Sequence, residues 1–118
     1  MKPIFAAILV GAQPGAAFAH AMLEKAAPPV GGTVSSAPTV LVLDFSEDIE
    51  PGMSRVKLAA KNGDAVALGA LSTTPKNRRQ LIAPIEHPLA PGLYHVEWRV
   101  ISIDLHITEG DYDFTVKK

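Results

Sequence analysis

The sequence predicts an all-β domain, a Greek-key β-sandwich or barrel of immunoglobulin-like layout. Three observations carry that expectation. Short apolar or alternating runs recur roughly every ten residues, with turn signals between them. Ten prolines are spread through 118 residues, and each disrupts a helix interior. No stretch holds an apolar period of 3.6 long enough for a helix against a core. The length allows one domain.

The first element reads as an address rather than as fold. Met1–Ala19 places Lys2 before an apolar stretch, Ile4 to Val10, and ends in Ala17-Phe18-Ala19. Positive start, apolar middle and small-x-small end are the order of a secretory signal. Gln13, Pro14 and Gly15 interrupt the run, short of the about 20 apolar residues a membrane anchor needs. Residues 1–19 are therefore expected to be a signal peptide and residues 20–118 the domain, with His20 first in the exported chain.

The strands follow in order. Thr39–Phe45 (TVLVLDF) is apolar and β-branched. Met53–Ala60 carries apolar residues at 53, 56, 58 and 60, with Arg55 and Lys57 between. Asn62-Gly63-Asp64 is a hairpin turn signal, and Ala65–Leu68 makes a short return strand. Lys76, Arg78 and Arg79 mark a basic cluster in 72–80, expected as a solvated loop. Gln80–Ala83 is the next strand, closed by Pro84. Gly92–Ser102 alternates, with Tyr94, Val96, Trp98 and Val100 on one face and His95, Glu97 and Arg99 on the other. Tyr112, Phe114 and Val116 alternate with Asp111, Asp113 and Thr115 in the same way. The expected core is Trp98, Tyr94, Phe45, Phe114 and Leu43, with Met22 packing nearby. His95 and His87 are expected to be solvated, without partners at metal-ligand spacing.

Composition limits the chemistry. Eleven basic residues face twelve acidic ones, and removing Lys2 with the leader leaves 10 against 12. No basic excess points to nucleic acid as a partner. The chain has no Cys, which removes disulfides, thiolate metal sites and Cys nucleophiles. A metal site must use His, carboxylate, Met or backbone nitrogen.

Cleavage after Ala19 would give His20 a free α-amine beside its imidazole, and the two nitrogens can chelate one ion. Amine and imidazole nitrogens suit Cu(II), which prefers tetragonal nitrogen and oxygen ligands. Asp104 and His106 stand at i and i+2, after the long strand and before Gly110, and so at a strand end or loop; in extended backbone their side chains would point to one side, roughly 7 Å apart at Cα. With His20 they would complete a set of three nitrogens and one oxygen. The same pair also reads as two polar residues of a surface loop.

The residues from 20 onward resemble the CopC family of periplasmic copper-resistance proteins. The likeness rests on His20 at the cleavage site, Pro28 with Val34 and Ala37-Pro38, Leu43-Asp44-Phe45-Ser46-Glu47, Pro91 to Val100, Ser102-Ile103-Asp104-Leu105-His106, and Gly110 to Phe114, in that order and spacing. The resemblance implies a Greek-key β-domain and a periplasmic Cu(II) carrier, with His20 (amine and imidazole), Asp104 and His106 as ligands. Glu47 matches a family acidic residue near the site, as a weak ligand or a support for one. A CopD-like inner-membrane copper protein is the implied partner, and a monomer is the default state.

Two departures stand out. The family often reads Ser-x-Asp-Gly-His-Pro after its Trp strand, whereas Leu105 and Ile107 replace the Gly and Pro here. Some members also carry a Met-rich segment for Cu(I). Only Met53 lies in that region here, so Cu(II) binding alone is expected. Two other classes compete: a copper oxidoreductase built on the N-terminal His, and a metal-free immunoglobulin-like interaction module.

Overall fold

The computed structural model describes residues 21–118; the expected leader and His20 lie outside the described residues. Among the described residues, nine strands form two sheets. They are β1 (Leu23–Ala27), β2 (Thr33–Val34), β3 (Val40–Phe45), β4 (Arg55–Ala60), β5 (Ala65–Val66), β6 (Ser72–Thr74), β7 (Asn77–Pro84), β8 (Gly92–Ile101) and β9 (Ile107–Val116). The first sheet has the order β1-β3-β7-β6 and the second β2-β9-β8-β4-β5. All pairings are antiparallel except β2 with β9. The chain crosses between sheets after β1, β2, β3, β5 and β7, so neighbours in space are distant in sequence, as in the expected sandwich.

The alternation read from the sequence is the burial pattern. Leu41, Leu43 and Phe45 of β3 face Tyr94, Val96, Trp98 and Val100 of β8, and all are buried. Phe45 meets Trp98 edge to face at 5.2 Å between ring centroids, and Tyr94 stacks on Phe114 at 5.6 Å. Such aromatic pairs add about 0.5–1.5 kcal/mol beyond their buried area. All five residues expected at the core lie in it.

Several expectations need correction. Met53 belongs to a 3-10 turn, Pro51–Met53, and β4 starts at Arg55. Pro51 fits the first position of such a turn because it has no N–H to leave unpaired. The basic stretch 72–80 is a hairpin of β6 and β7 rather than a loop: Thr74 pairs with Asn77, and Asn77 N–H donates to Thr74 Oγ1 at 3.1 Å. Its polar composition hid the strands, whose outer residues are solvated. Met22 is 60% exposed, so it does not pack into the core; backbone bonds hold it instead.

Gly110 has a steric role. It stands opposite Trp98 in the β8–β9 ladder, and a Cβ there would lie 2.3 Å from Trp98 Cζ2. Only a residue without a side chain lets the indole lie against β9.

Candidate metal centre

β8 and β9 pair without a slip from Gly92↔Val116 to Ile101↔Ile107. The five residues between them, Ser102 to His106, therefore form a loop fixed at both ends. Ser102 N–H donates to the His106 carbonyl at 3.0 Å, and Leu105 N–H to the Ser102 carbonyl at 2.8 Å. Asp104 and His106 lie in a loop at the end of the long strand, as expected, but a tight turn rather than extended backbone brings them together. Leu105 takes φ +70°, the left-handed region where side chains meet backbone oxygen. That residue turns the chain between the two candidate ligands.

His106 Nδ1 lies 3.3 Å from Asp104 Oδ1, and both side chains are about half exposed, at 43% and 51%. Behind them Ser102 is fully buried. Its hydroxyl donates to Asp104 Oδ1, and its oxygen accepts from His106 N–H at 3.3 Å. The Ser102 hydroxyl, and then the His106 side chain, hold the Asp104 carboxyl below its ordinary 3.8. Asp104 is thus an ionised acceptor through the neutral range, with one oxygen already oriented. The sequence reading assigns Ser102 no role at the site; the signal available is its place at the head of the Ser-x-Asp-x-His run that resembles the family motif.

Two further chain segments lie beside this loop. Ile103 N–H donates to the Asp48 carbonyl at 3.1 Å, and Glu50 N–H to the Ile101 carbonyl at 2.9 Å. Glu47 belongs to this neighbouring segment, one residue before Asp48. The start of the described chain joins the same segment. Met22 N–H donates to Ser46 Oγ at 2.8 Å, Ser46 N–H donates to the Met22 carbonyl at 2.9 Å, and Ala21 is fully buried. Exposed Met22, Ile103, Leu105 and Ile107 give this end of the sandwich an apolar surface.

A family model described as CopC domain matches residues 23–117. The chain belongs to the CopC domain family. Two relatives are Protein YobA of Escherichia coli, 36% identical over 100 residues with 85% of this chain and 81% of the relative covered, and Copper resistance protein C of Xanthomonas campestris pv. juglandis, 32% identical over 106 residues with 86% and 83% covered. The crystal structure of CopC from Methylosinus trichosporium OB3b superposes with a TM-score of 0.77 at 33% identity, covering 83% of this chain and 94% of that one.

In this CopC domain the other histidines divide. His87 is exposed in the connection before β8. His95 departs from expectation: its side chain is 30% exposed, and it contacts Asp113 and Asp111, with Glu97 close by. The cross-strand partners on β9 that sequence spacing could not reveal are what surround it.

Proposed function

We propose that the chain is an exported Cu(II) carrier that holds its ion through the His20 α-amine and imidazole, the Asp104 carboxylate and the His106 imidazole. The observation that carries this reading is the convergence at one loop. Asp104 and His106 are side by side, and Met22 is pinned to Ser46 on the segment that bonds to the same loop. His20 precedes Met22 by two residues, a reach of at most about 7 Å. The copper named in the relatives is the cargo whose donor preferences this set meets. Glu47, on the adjoining segment, supports the site as a weak ligand or by orienting one.

The amine exists only after signal cleavage, so export itself would create the ligand. In this reading Asp104 fills one position around the ion, and the chain acts by holding and passing it, without a catalytic step. The apolar surface formed by Met22, Ile103, Leu105 and Ile107 suits coverage by a partner when cargo is passed. That partner is a CopD-like inner-membrane copper protein, the carrier is periplasmic, and one chain suffices for the site.

Cu(II) titration of two chains tests the proposal, one starting at His20 and one carrying a single extra residue before it. The chain starting at His20 binds Cu(II) with an EPR signal of three coordinated nitrogens. The extended chain loses most of its affinity. Equal affinities for the two chains would remove the amine from the site. Binding also weakens as pH falls, because protons compete with the ion for its nitrogen donors.

A further inference from the structure

One free edge of the second sheet runs into the candidate metal loop. Gly31 N–H donates to the Asp113 carbonyl at 2.7 Å, Thr115 N–H to the Gly32 carbonyl at 2.9 Å and Lys117 N–H to the Val34 carbonyl at 2.9 Å. Residues 113, 115 and 117 therefore turn backbone groups away from β8 and toward β2. An antiparallel ladder alternates in this way, and β9 pairs with β8 without a slip. The N–H and C=O of Ile107, Glu109 and Asp111 point to the same side. β2 does not reach them, since it pairs only with Thr115 and Val116. Pro28 and Pro29 precede it and have no N–H to give, and a turn bonds Gly32 N–H to the Pro29 carbonyl at 3.0 Å. Among the described residues no strand or backbone hydrogen bond meets these outward groups.

Two features set this edge apart from an ordinary sheet border. Proteins blunt a bare edge with Pro, a bulge or Lys. Residues 107–112 hold no Pro and no Lys, and the ladder there has no bulge, so about 20 Å of strand stands open. Pro at any of the three outward positions would close the edge without the loss of a bond to β8. The edge also leads into the exposed apolar row Ile103, Leu105 and Ile107. Leu105 is 67% exposed at φ +70°; an apolar residue both strained and exposed points to a contact outside the chain. The charges beside the edge choose the occupant. Glu109 and Asp111 side chains are 68% and 62% exposed, and Arg99 and His95 reach them from the β8 side, at 3.3 Å and 3.1 Å. A second copy paired antiparallel about Gly110 would set Glu109 of each chain opposite Asp111 of the other, and like charges directly opposite weaken a sheet. A strand with basic residues at those positions strengthens it.

We propose that an extended, basic segment of the protein that receives the ion adds to β9 as a further strand, bonding to the backbone of Ile107, Glu109 and Asp111. Its lysine or arginine side chains stand opposite Glu109 and Asp111, with apolar residues between them, and its end nearest the loop meets Ile107 and Leu105. Main-chain bonds then supply affinity and alternate side chains specificity, and the docked strand ends beside Asp104 and His106. Only the use of this contact, transfer of the ion, rests on the carrier reading; the strand addition itself is measured without copper.

The test is NMR hydrogen exchange on the copper-free chain starting at His20. The probe is a short capped peptide of alternating valine and lysine, and its valine–glutamate counterpart is the control. In the free chain the amides of 107, 109 and 111 exchange faster than those of 108, 110 and 112. The lysine peptide slows the three fast amides and binds about tenfold or more tighter than the glutamate peptide. Glu109→Pro removes one outward N–H and abolishes peptide binding, while Cu(II) titration of the same variant is unchanged. Asp111→Pro, expected to behave alike, replaces it should the first variant fail to fold, which urea unfolding checks. Peptide binding by a chain that takes up no Cu(II) would sink the carrier reading and leave the edge standing. Slow exchange of the three amides before peptide is added, no binding of the lysine peptide, equal binding of both peptides, survival of binding in both proline variants, or a dimer formed through the same amides would overturn the proposal.

Discussion

Replacing Leu105 isolates the backbone strain at the candidate metal loop. Its φ of +70° costs an L side chain about 1–2 kcal/mol, from the approach of Cβ to backbone oxygen. Leu105→Gly removes this cost but gives the unfolded chain more freedom, a loss of about 0.4–1 kcal/mol. It also forfeits the contacts of a side chain already 67% exposed; a third of a leucine's burial is worth roughly 0.5–1 kcal/mol. The Leu-to-Gly difference is thus close to zero. The informative comparison is Gly with Ala at the same position, because both lose the leucine contacts. At an ordinary site Ala is more stable than Gly by about 0.4–1 kcal/mol. Here the order inverts, and Gly is more stable by about 0.5–1 kcal/mol. With a urea slope of about 1–3 kcal/mol/M, the midpoint of the Gly variant lies higher by roughly 0.2–1 M. Leu105→Val falls below both, since a β-branched residue tolerates positive φ least. Urea unfolding of the three variants under one buffer measures the order. An Ala variant as stable as the Gly variant would refute the left-handed turn at Leu105.

Ser102→Ala removes the hydroxyl that orients Asp104 and should weaken Cu(II) binding about tenfold or more, read by competition titration with the fold checked by circular dichroism. Gly110→Ala drives a Cβ to 2.3 Å from an indole that Phe45 backs at 5.2 Å; overpacking should cost about 1–3 kcal/mol, read as a lower urea midpoint, and Trp98→Leu should relieve most of it. Asp113 is held below its ordinary 3.8, first by its bond to His95. A depressed carboxyl contributes stability that is present above the unfolded value and lost as pH falls through the folded one. Asp113→Asn should therefore flatten the acid limb of the stability curve below about pH 4, measured by thermal unfolding across pH.

The architecture was readable where side-chain alternation meets a buried face. Tyr94, Val96, Trp98 and Val100 announce one side of β8 by period two alone, because a half-buried strand must sort its residues that way. The strands that escaped notice are short or polar. β1 buries only Ala26, β2 has two residues, and β6 with the start of β7 carries Ser, Thr, Asn and Arg on a solvated hairpin. Their place comes from hydrogen bonds to other strands, which leave no apolar pattern.

The candidate site divides along the same line. Residue types set what could be expected of the chemistry: with no Cys, one short Asp-x-His and His20 at the expected cleavage point, the expected donors are nitrogen and oxygen. Spacing also placed Asp104 and His106 close, though for the wrong reason, since a turn through Leu105 rather than extended backbone joins them. The fold alone supplied Ser102 behind Asp104, the seating of Met22 on Ser46 beside the loop, and the carboxylates around His95. Each joins residues from separate parts of the chain or from facing strands, and local sequence carries no record of which strand lies opposite. Register across β8 and β9 decides that His95 meets Asp113 and that Trp98 meets Gly110, because only the assembled core pins one strand against another.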